Sequence, residues 1–240
     1  MINRLCIILF FIFLGCNQLI EKTSPLDGIY YILDGWEKFE VEDYNRAHDL
    51  FSTVLLNNST QYYTEAYVGL GWNAIYKANT TQGVNSVSDR EYQRDISNQY
   101  FTLALEYNNN SCPSGIIGDC SVLCENLLSG RTFNSSYRAL EASRQFYDYG
   151  LDSTNWDDMI DYSNEVISIS DTLFNLCNNK YIFDHDEYVT FDQIRILRAQ
   201  TFVRLAQFDK AEDELEFIDD LDCDFTTQTV VECLNTLDFR

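Results

Sequence analysis

Apolar and small residues recur with the same spacing in two distant segments of the chain. Residues three and four apart lie on one face of a helix, so each segment predicts an amphipathic helix with a single apolar stripe. The matched positions, which align without gaps, are Tyr44, Ala47, Phe51 and Val54 in the first segment and Phe208, Ala211, Leu215 and Ile218 in the second. Small and apolar residues upstream of each segment, around Gly35 and Ala199, predict a preceding helix. The pattern therefore indicates an internal repeat of helix pairs.

Helix pairs of this kind resemble the tetratricopeptide repeat (TPR), in which two antiparallel helices pack through small residues and an aromatic residue fills their junction. Residues 66–74 resemble another first helix, and Gly71 follows Gly35 at a distance close to the family period of about 34 residues. Its partner helix carries Ser97, Phe101 and Ala104, after an insertion that the polar stretch 79–89 fits. A degenerate third unit covers 137–149 and 156–167, and the fourth covers 191–218.

The resemblance implies an all-α, right-handed superhelix of three to five stacked antiparallel helix pairs within residues 25–240. Residues 108–130 interrupt the pattern and contain three cysteines, so they are predicted to be an insertion with a short helix near 120–128. Val230, Cys233 and Leu234 predict a short amphipathic helix that caps the array. The alternative is a generic irregular helical bundle, because apolar stripes also occur in ordinary helix packing.

Residues 1–15 have the features of an export signal. Arg4 precedes an uncharged apolar run, 5–14, that is too short to cross a hydrocarbon core of roughly 30 Å. The following Gly15-Cys16 resembles a bacterial lipobox, although Phe13 stands where leucine is usual. An ordinary signal peptide with a chance cysteine is the alternative. The resemblance implies a palmitate-type lipid on Cys16, a lipidated tether over 16–24 and, because Asn17 is not Asp, an outer-membrane lipoprotein that is periplasmic or surface-exposed.

Cysteine usage predicts disulfide bonds in an exported chain. Cys6 belongs to the signal and Cys16 to the lipid anchor, which leaves an even number for an oxidising compartment. Several complete pairings are possible among the remaining cysteines. Two pairs would close short loops, Cys112–Cys120 and Cys223–Cys233, and are favoured for that reason. Cys124–Cys177 is then the pair that remains. A zinc site is the rival hypothesis, but the chain has no CxxC pair and only two histidines, His48 and His185.

Composition and motifs exclude several classes of function. The chain has 16 Lys+Arg against 38 Asp+Glu, and its formal net charge of −22 disfavours nucleic-acid binding. The acidic stretches 184–187 and 219–224 are interpreted as solvated loops, because Phe225 and Val231 stand where an EF-hand needs Gly and Glu. No Gly-rich phosphate loop, HExxH or GxSxG motif is present. We therefore expect no enzyme, no cofactor and no metal site.

Two classes of function are left. The TPR resemblance implies an interaction scaffold whose concave groove holds a peptide or a protein segment of an envelope complex. The alternative is a glycan-binding or nutrient-binding surface lipoprotein on the same scaffold, although such proteins are usually much larger.

In the TPR family, the first helix of each pair lines the concave face. Mapped onto this chain, that rule predicts a partner-binding groove lined by Trp36, Phe39, Trp72, Tyr76, Gln200 and Arg204. The aromatic rings offer rigid contact area, and Arg204 would hold a carboxylate of the partner. The alternative for Trp36 and Trp72 is that they pack between adjacent repeats, because aromatic residues at helical spacing are often core residues.

Overall fold

The fold of the chain is all-helical, as the sequence predicts. The computed structural model describes residues 25–80, 87–107, 121–148, 153–177, 182–219, 221, 223–225 and 228–237. Within these residues the α-helices are α1 Pro25–Glu40, α2 Tyr44–Leu56, α3 Tyr63–Thr80, α4 Val87–Glu106, α5 Val122–Asp148, α6 Ser153–Leu176, α7 Phe191–Arg204, α8 Phe208–Glu216 and α9 Val230–Thr236. A 3₁₀ turn, Thr60–Tyr62, precedes α3, and the same residues contain no β-strand beyond one isolated bridge between Ile182 and Thr190. The predicted signal (1–15) and tether (16–24) lie outside the described residues.

Consecutive helices pack as adjacent pairs. Helix α1 packs with α2, α3 with α4, α5 with α6 and α7 with α8, while α9 contacts α7 and α8. The first helices of successive pairs also contact one another in the order α1, α3, α5, α7. These four first helices therefore form a continuous row, and the candidate site lies along it. In the described part of the chain, no helix combines the length and the apolar character that a membrane span requires.

The turn between the two helices is the same in the first pair and in the fourth pair. Each turn contains one non-glycine residue with positive φ, Glu42 at 62° and Ala206 at 55°. In both turns the N–H of that residue donates to the carbonyl three residues back, and the next N–H donates to the carbonyl five residues back. The small residues that follow, Ala47 and Ala211, are both fully buried. The repeat found in the sequence is therefore also a repeat of the backbone.

Close helix packing in the first two pairs depends on glycine. The ring of Phe51 on α2 lies between α1 and α3, so that a Cβ at Gly35 or Gly69 would come within 2.6 Å of it. A real side chain cannot occupy that space without moving the ring, and interiors at this density have little room for such movement. The same arrangement recurs one pair later, at Phe101, Gly71 and Gly130.

The predicted insertion, 108–130, extends too far, because its last residues belong to helix α5. Helix α5 runs without a break from Val122 to Asp148, so residues 122–130 belong to the first helix of the third pair. Cys124 and Leu127 in this part of α5 are buried in the core. Gly130 lies inside the helix, where it allows the close approach to Phe101, and it does not mark a boundary. The rest of the predicted insertion, 108–120, lies outside the described residues.

The C-terminal helix and one predicted disulfide are present. Helix α9 begins with a capping box in which Thr229 and Glu232 bond each other's backbone N–H groups. Cys223 and Cys233 are joined, with their Cα atoms 5.6 Å apart. Cys124 and Cys177 each take part in a disulfide bond as well. Cys112 and Cys120 lie outside the described residues, so the pairing of these four cysteines stays a prediction.

Candidate functional site

A compact turn between α6 and α7, which we call the 182–190 turn, lies against the row of first helices. The N–H of Phe183 donates to the carbonyl of Val189 at 2.8 Å, and the N–H of Asp186 donates to the carbonyl of Phe183 at 3.0 Å. The turn ends at Thr190, whose hydroxyl caps α7 by accepting from the N–H of Gln193 at 3.2 Å. These local bonds give the turn a defined shape without a sheet.

The side chains of the 182–190 turn contact α1 and α3. Phe183 is 1% exposed and stacks on Trp72, with ring centroids 4.4 Å apart. The ring of His185 stacks on that of Trp36, with the centroids 4.0 Å apart. Its Nδ1 lies 2.8 Å from a carboxylate oxygen of Glu40. Asp186 accepts a hydrogen bond from the hydroxyl of Tyr76 on α3. The turn thus covers the α1 end of the row of first helices.

Three of the six predicted groove residues are core residues. Trp36 is 4% exposed, Phe39 is 3% exposed and Trp72 is completely buried. Phe183 covers all three, and the indole N–H of Trp72 donates to the carbonyl of Asn126 on α5 at 2.9 Å. The prediction that these side chains face an accessible groove is therefore wrong. The alternative stated above, packing between adjacent repeats, describes Trp72, which bonds from the second helix pair to the third.

The other three predicted residues, Tyr76, Gln200 and Arg204, line one cavity, and the buried ring of Trp72 forms part of its wall. Helices α3, α5 and α7 and the 182–190 turn enclose it, and its volume is about 580 Å³. This volume lies within the range of about 300–1,000 Å³ that is typical of small-ligand sites. Most of its wall is apolar or aromatic, with side chains that include Ile75, Phe133, Tyr137, Leu140, Tyr188 and Leu197. A second cavity of about 350 Å³ lies between α7 and α9 and shares Gln200 and Arg204.

The larger cavity contains two arginines, Arg144 on α5 and Arg204 on α7. Neither makes an ion pair with a carboxylate of the described residues. Among these residues, the guanidinium of Arg204 donates a hydrogen bond to the hydroxyl of Thr201 at 3.5 Å. Burial, followed by the positive charge of Arg144, lowers the pKa of Arg204 to about 10. The cavity therefore holds two like charges in a chain whose net charge is −22.

Asp186 is the acidic residue of this cavity, and its oxygens are engaged locally. One oxygen accepts from the hydroxyl of Tyr76, and the other accepts from the N–H of Tyr188 at 2.9 Å. Burial, followed by this hydrogen bond, raises the pKa of Tyr76. The phenol therefore keeps its proton and donates a hydrogen bond to the carboxylate of Asp186. Asp186 thus fixes the 182–190 turn to α3.

Arginines elsewhere in the fold are mostly paired with carboxylates. The pairs among the described residues include Arg195–Glu214 at 2.9 Å, Arg198–Glu214 at 2.8 Å, Arg90–Glu141 at 3.0 Å and Arg138–Asp95 at 2.9 Å. Arg94 is a buried exception: its guanidinium lies 5.0 Å from the ring of Tyr137, and its Nε and Nη1 have no hydrogen-bond partner. Arg144 and Arg204 therefore differ from most arginines of the fold in facing a cavity without an ion-pair partner.

Sequence reasoning missed the 182–190 turn and the contribution of α5. The stretch 184–187 was interpreted as a solvated acidic loop, yet His185 and Asp186 are partly buried against α1 and α3. Phe183 and Val189, which flank the acids, were the available signal for packing. In the described residues, no group of His, Cys, Asp or Glu has the arrangement of a metal site. Asp220 and Asp222 of the second acidic stretch lie outside them.

Comparison with known proteins identifies no relative. The chain matches no protein-family model, no curated protein and no solved structure. The function proposed below therefore rests on the cavity and on the residues of the chain itself.

Proposed function

We propose that this protein is an envelope-anchored outer-membrane lipoprotein that acts as a protein–protein interaction scaffold through a TPR-like right-handed superhelix. The shared turn geometry of the first and fourth helix pairs supports the TPR-like arrangement. The glycine-flanked rings of Phe51 and Phe101 support it further, because they repeat one packing rule in successive pairs. In this proposal the protein binds and does not catalyse.

The cavity between α3, α5 and α7 carries the proposal. Tyr76, Gln200 and Arg204 line it, and all three belong to first helices, which form the ligand-binding face in TPR proteins. Since the 182–190 turn covers Trp36 and Trp72, an extended segment cannot run along the whole row of first helices. The partner segment is therefore short: a chain end, or a few side chains of an envelope protein that enter the cavity.

Site-specific photocrosslinking in intact envelopes tests this function. A photoreactive amino acid at Gln200 is expected to capture a discrete protein, because this position lines the cavity. The matched control is the same amino acid at Asp213, an exposed position on α8. Adducts of equal yield from both positions, or no protein adduct from Gln200, would contradict a partner in the cavity.

The second candidate is a glycan-binding lipoprotein. The rings of Tyr76, Tyr137 and Tyr188 and the amides of Gln193 and Gln200 line the same cavity, and such groups stack on sugar rings and bond to their hydroxyls. A glycan array separates the two functions. Binding of defined glycans without a protein adduct from Gln200 would favour this candidate over the scaffold.

The lipid anchor has its own test. We propose acylation at Cys16, so palmitate labelling of the chain should disappear in the Cys16→Ser variant. The variant should also be released as a soluble, folded protein, because the helix pairs do not depend on the tether. Labelling that survives the substitution would show that Cys16 is not the acylated residue.

A further inference from the structure

Two guanidinium groups line one cavity, Arg204 partly buried and Arg144 exposed at the rim, and neither pairs with a carboxylate of the described residues. Like charges in a partly desolvated site repel, and the low pKa of Arg204 reflects both its burial and the charge of Arg144. Asp186 forms no ion pair with either arginine, since its oxygens accept from Tyr76 and Tyr188, and its single negative charge leaves the lining with a net positive charge. The rest of the chain is acidic, so this local excess of positive charge is unusual within it.

The rest of the cavity wall selects what the anion is attached to. Apolar and aromatic side chains from α3 and α5, among them Ile75, Phe133 and Leu140, make up much of its surface. A highly hydrated anion such as free phosphate would leave this surface without a partner. A carboxylate attached to an apolar or aromatic body matches both parts, because each guanidinium forms charge-assisted hydrogen bonds while the wall buries the body.

We propose that the cavity binds a carboxylate carried on an apolar or aromatic body, with Arg204 and Arg144 holding the carboxylate and the side chains of α3 and α5 enclosing the body. This inference rests on the proposed function, since it names the chemistry recognised by the same site. The same chemistry comes from two sources, the last residue of a protein chain and a free organic acid. The experiment has one arm for each source.

Titration calorimetry on the full chain uses two acids and their amides as probes. N-acetylphenylalanine stands for a chain end and 3-phenylpropionate for a free organic acid, and each amide keeps the body but removes the charge. We expect the dissociation constant of each acid to be at least about tenfold lower than that of its amide. This ratio corresponds to the free energy of one charge-assisted hydrogen bond. Tighter binding of N-acetylphenylalanine identifies a chain end as the source, and tighter binding of 3-phenylpropionate identifies a free acid.

Two variants and a control locate the effect. Arg204→Gln and Arg144→Gln should each bring the acid-to-amide ratio close to one, whereas Arg46→Gln, on the exposed side of α2, should leave it unchanged. Arg144 is itself exposed at the cavity rim, so its variant keeps the test available if Arg204→Gln does not fold.

The outcomes separate this inference from the proposed function. Equal binding of acid and amide, or no binding of either, overturns the carboxylate site even if Gln200 captures a protein partner. Discrimination between acid and amide without any protein adduct from Gln200 supports the carboxylate site and contradicts the scaffold. Discrimination that survives in both arginine variants places the anion elsewhere and overturns the inference.

Discussion

Phe183→Ala tests the observation that the chain's own 182–190 turn covers Trp36 and Trp72. The ring of Phe183 is 1% exposed and contacts the rings of Trp36, Phe39 and Trp72 at centroid distances of 5.7, 6.2 and 4.4 Å. Truncation of a buried phenylalanine to alanine costs about 3–5 kcal/mol through lost apolar burial and the cavity it leaves. We expect a value near the lower end, because a turn can collapse more easily than a helix. At about 2–4 °C per kcal/mol for a chain of this size, the melting temperature should fall by roughly 10 °C.

The assay combines unfolding with tryptophan emission. Urea unfolding gives the loss of free energy, and emission should shift to longer wavelength because Trp36 and Trp72 gain contact with water. Trp156, which is 39% exposed and lies on α6, contributes a constant background. The matched control is Ile182→Ala in the same turn, where the side chain is 60% exposed. If Phe183→Ala changed neither stability nor emission by more than the control, the turn would not cover the tryptophans.

Three further substitutions test the packing and the electrostatics. Glu214→Gln should lower the free energy of unfolding in urea by about 3 kcal/mol. The two buried arginines that bind Glu214 would stay charged while the carboxylate that pairs with them is gone. Gly71→Ala should cost about 1–3 kcal/mol in the same assay, because the added methyl group would come within 2.5 Å of the Phe101 ring. Burial raises the pKa of Glu65 above its ordinary value of 4.5, so the folded state disfavours the carboxylate at neutral pH. Glu65→Gln should therefore be more stable than the unmodified chain at pH 7, and the difference should shrink as the pH falls through the raised pKa of Glu65 and be lost below the ordinary value of 4.5.

Each of these predictions has a contradicting result, and the first also has a matched control. Glu216→Gln on the exposed side of α8 is the control for Glu214, and equal stability of the two variants would show that the buried ion pairs contribute nothing. An unchanged unfolding midpoint for Gly71→Ala would mean that α4 moves freely away from α3. For Glu65, a stability difference from the glutamine variant that stays constant between pH 4 and pH 7 would exclude a carboxylate disfavoured by burial.

The sequence predicted those parts of the fold that depend on local spacing. The matched positions around Ala47 and Ala211 place two small residues in equivalent buried positions, and the turns before them repeat in detail. The capping helix and the Cys223–Cys233 bond were predicted for the same reason, since both arise from residues close together in the chain.

Long-range packing could not be predicted in this way. Phe183 lies far along the chain from Trp36 and Trp72. The local spacing of apolar residues therefore does not predict its contacts with these two rings. The groove prediction starts from the small packing residues Gly35, Gly71 and Ala199, and it has no equivalent residue in the first helix of the third unit, so it does not include Arg144. The predicted insertion includes Gly130, because the role of this residue in the approach of α5 to Phe101 is visible only in three dimensions.

Photocrosslinking from Gln200 with a competing acid tests the central claim most directly. The claim is that a partner enters the cavity between α3, α5 and α7 and is held there by its carboxylate. In native envelopes, we predict a discrete protein adduct from Gln200 whose yield falls when N-acetylphenylalanine is added and stays constant with its amide. An adduct that neither compound reduces, or one that forms with equal yield from Asp213, would contradict the claim.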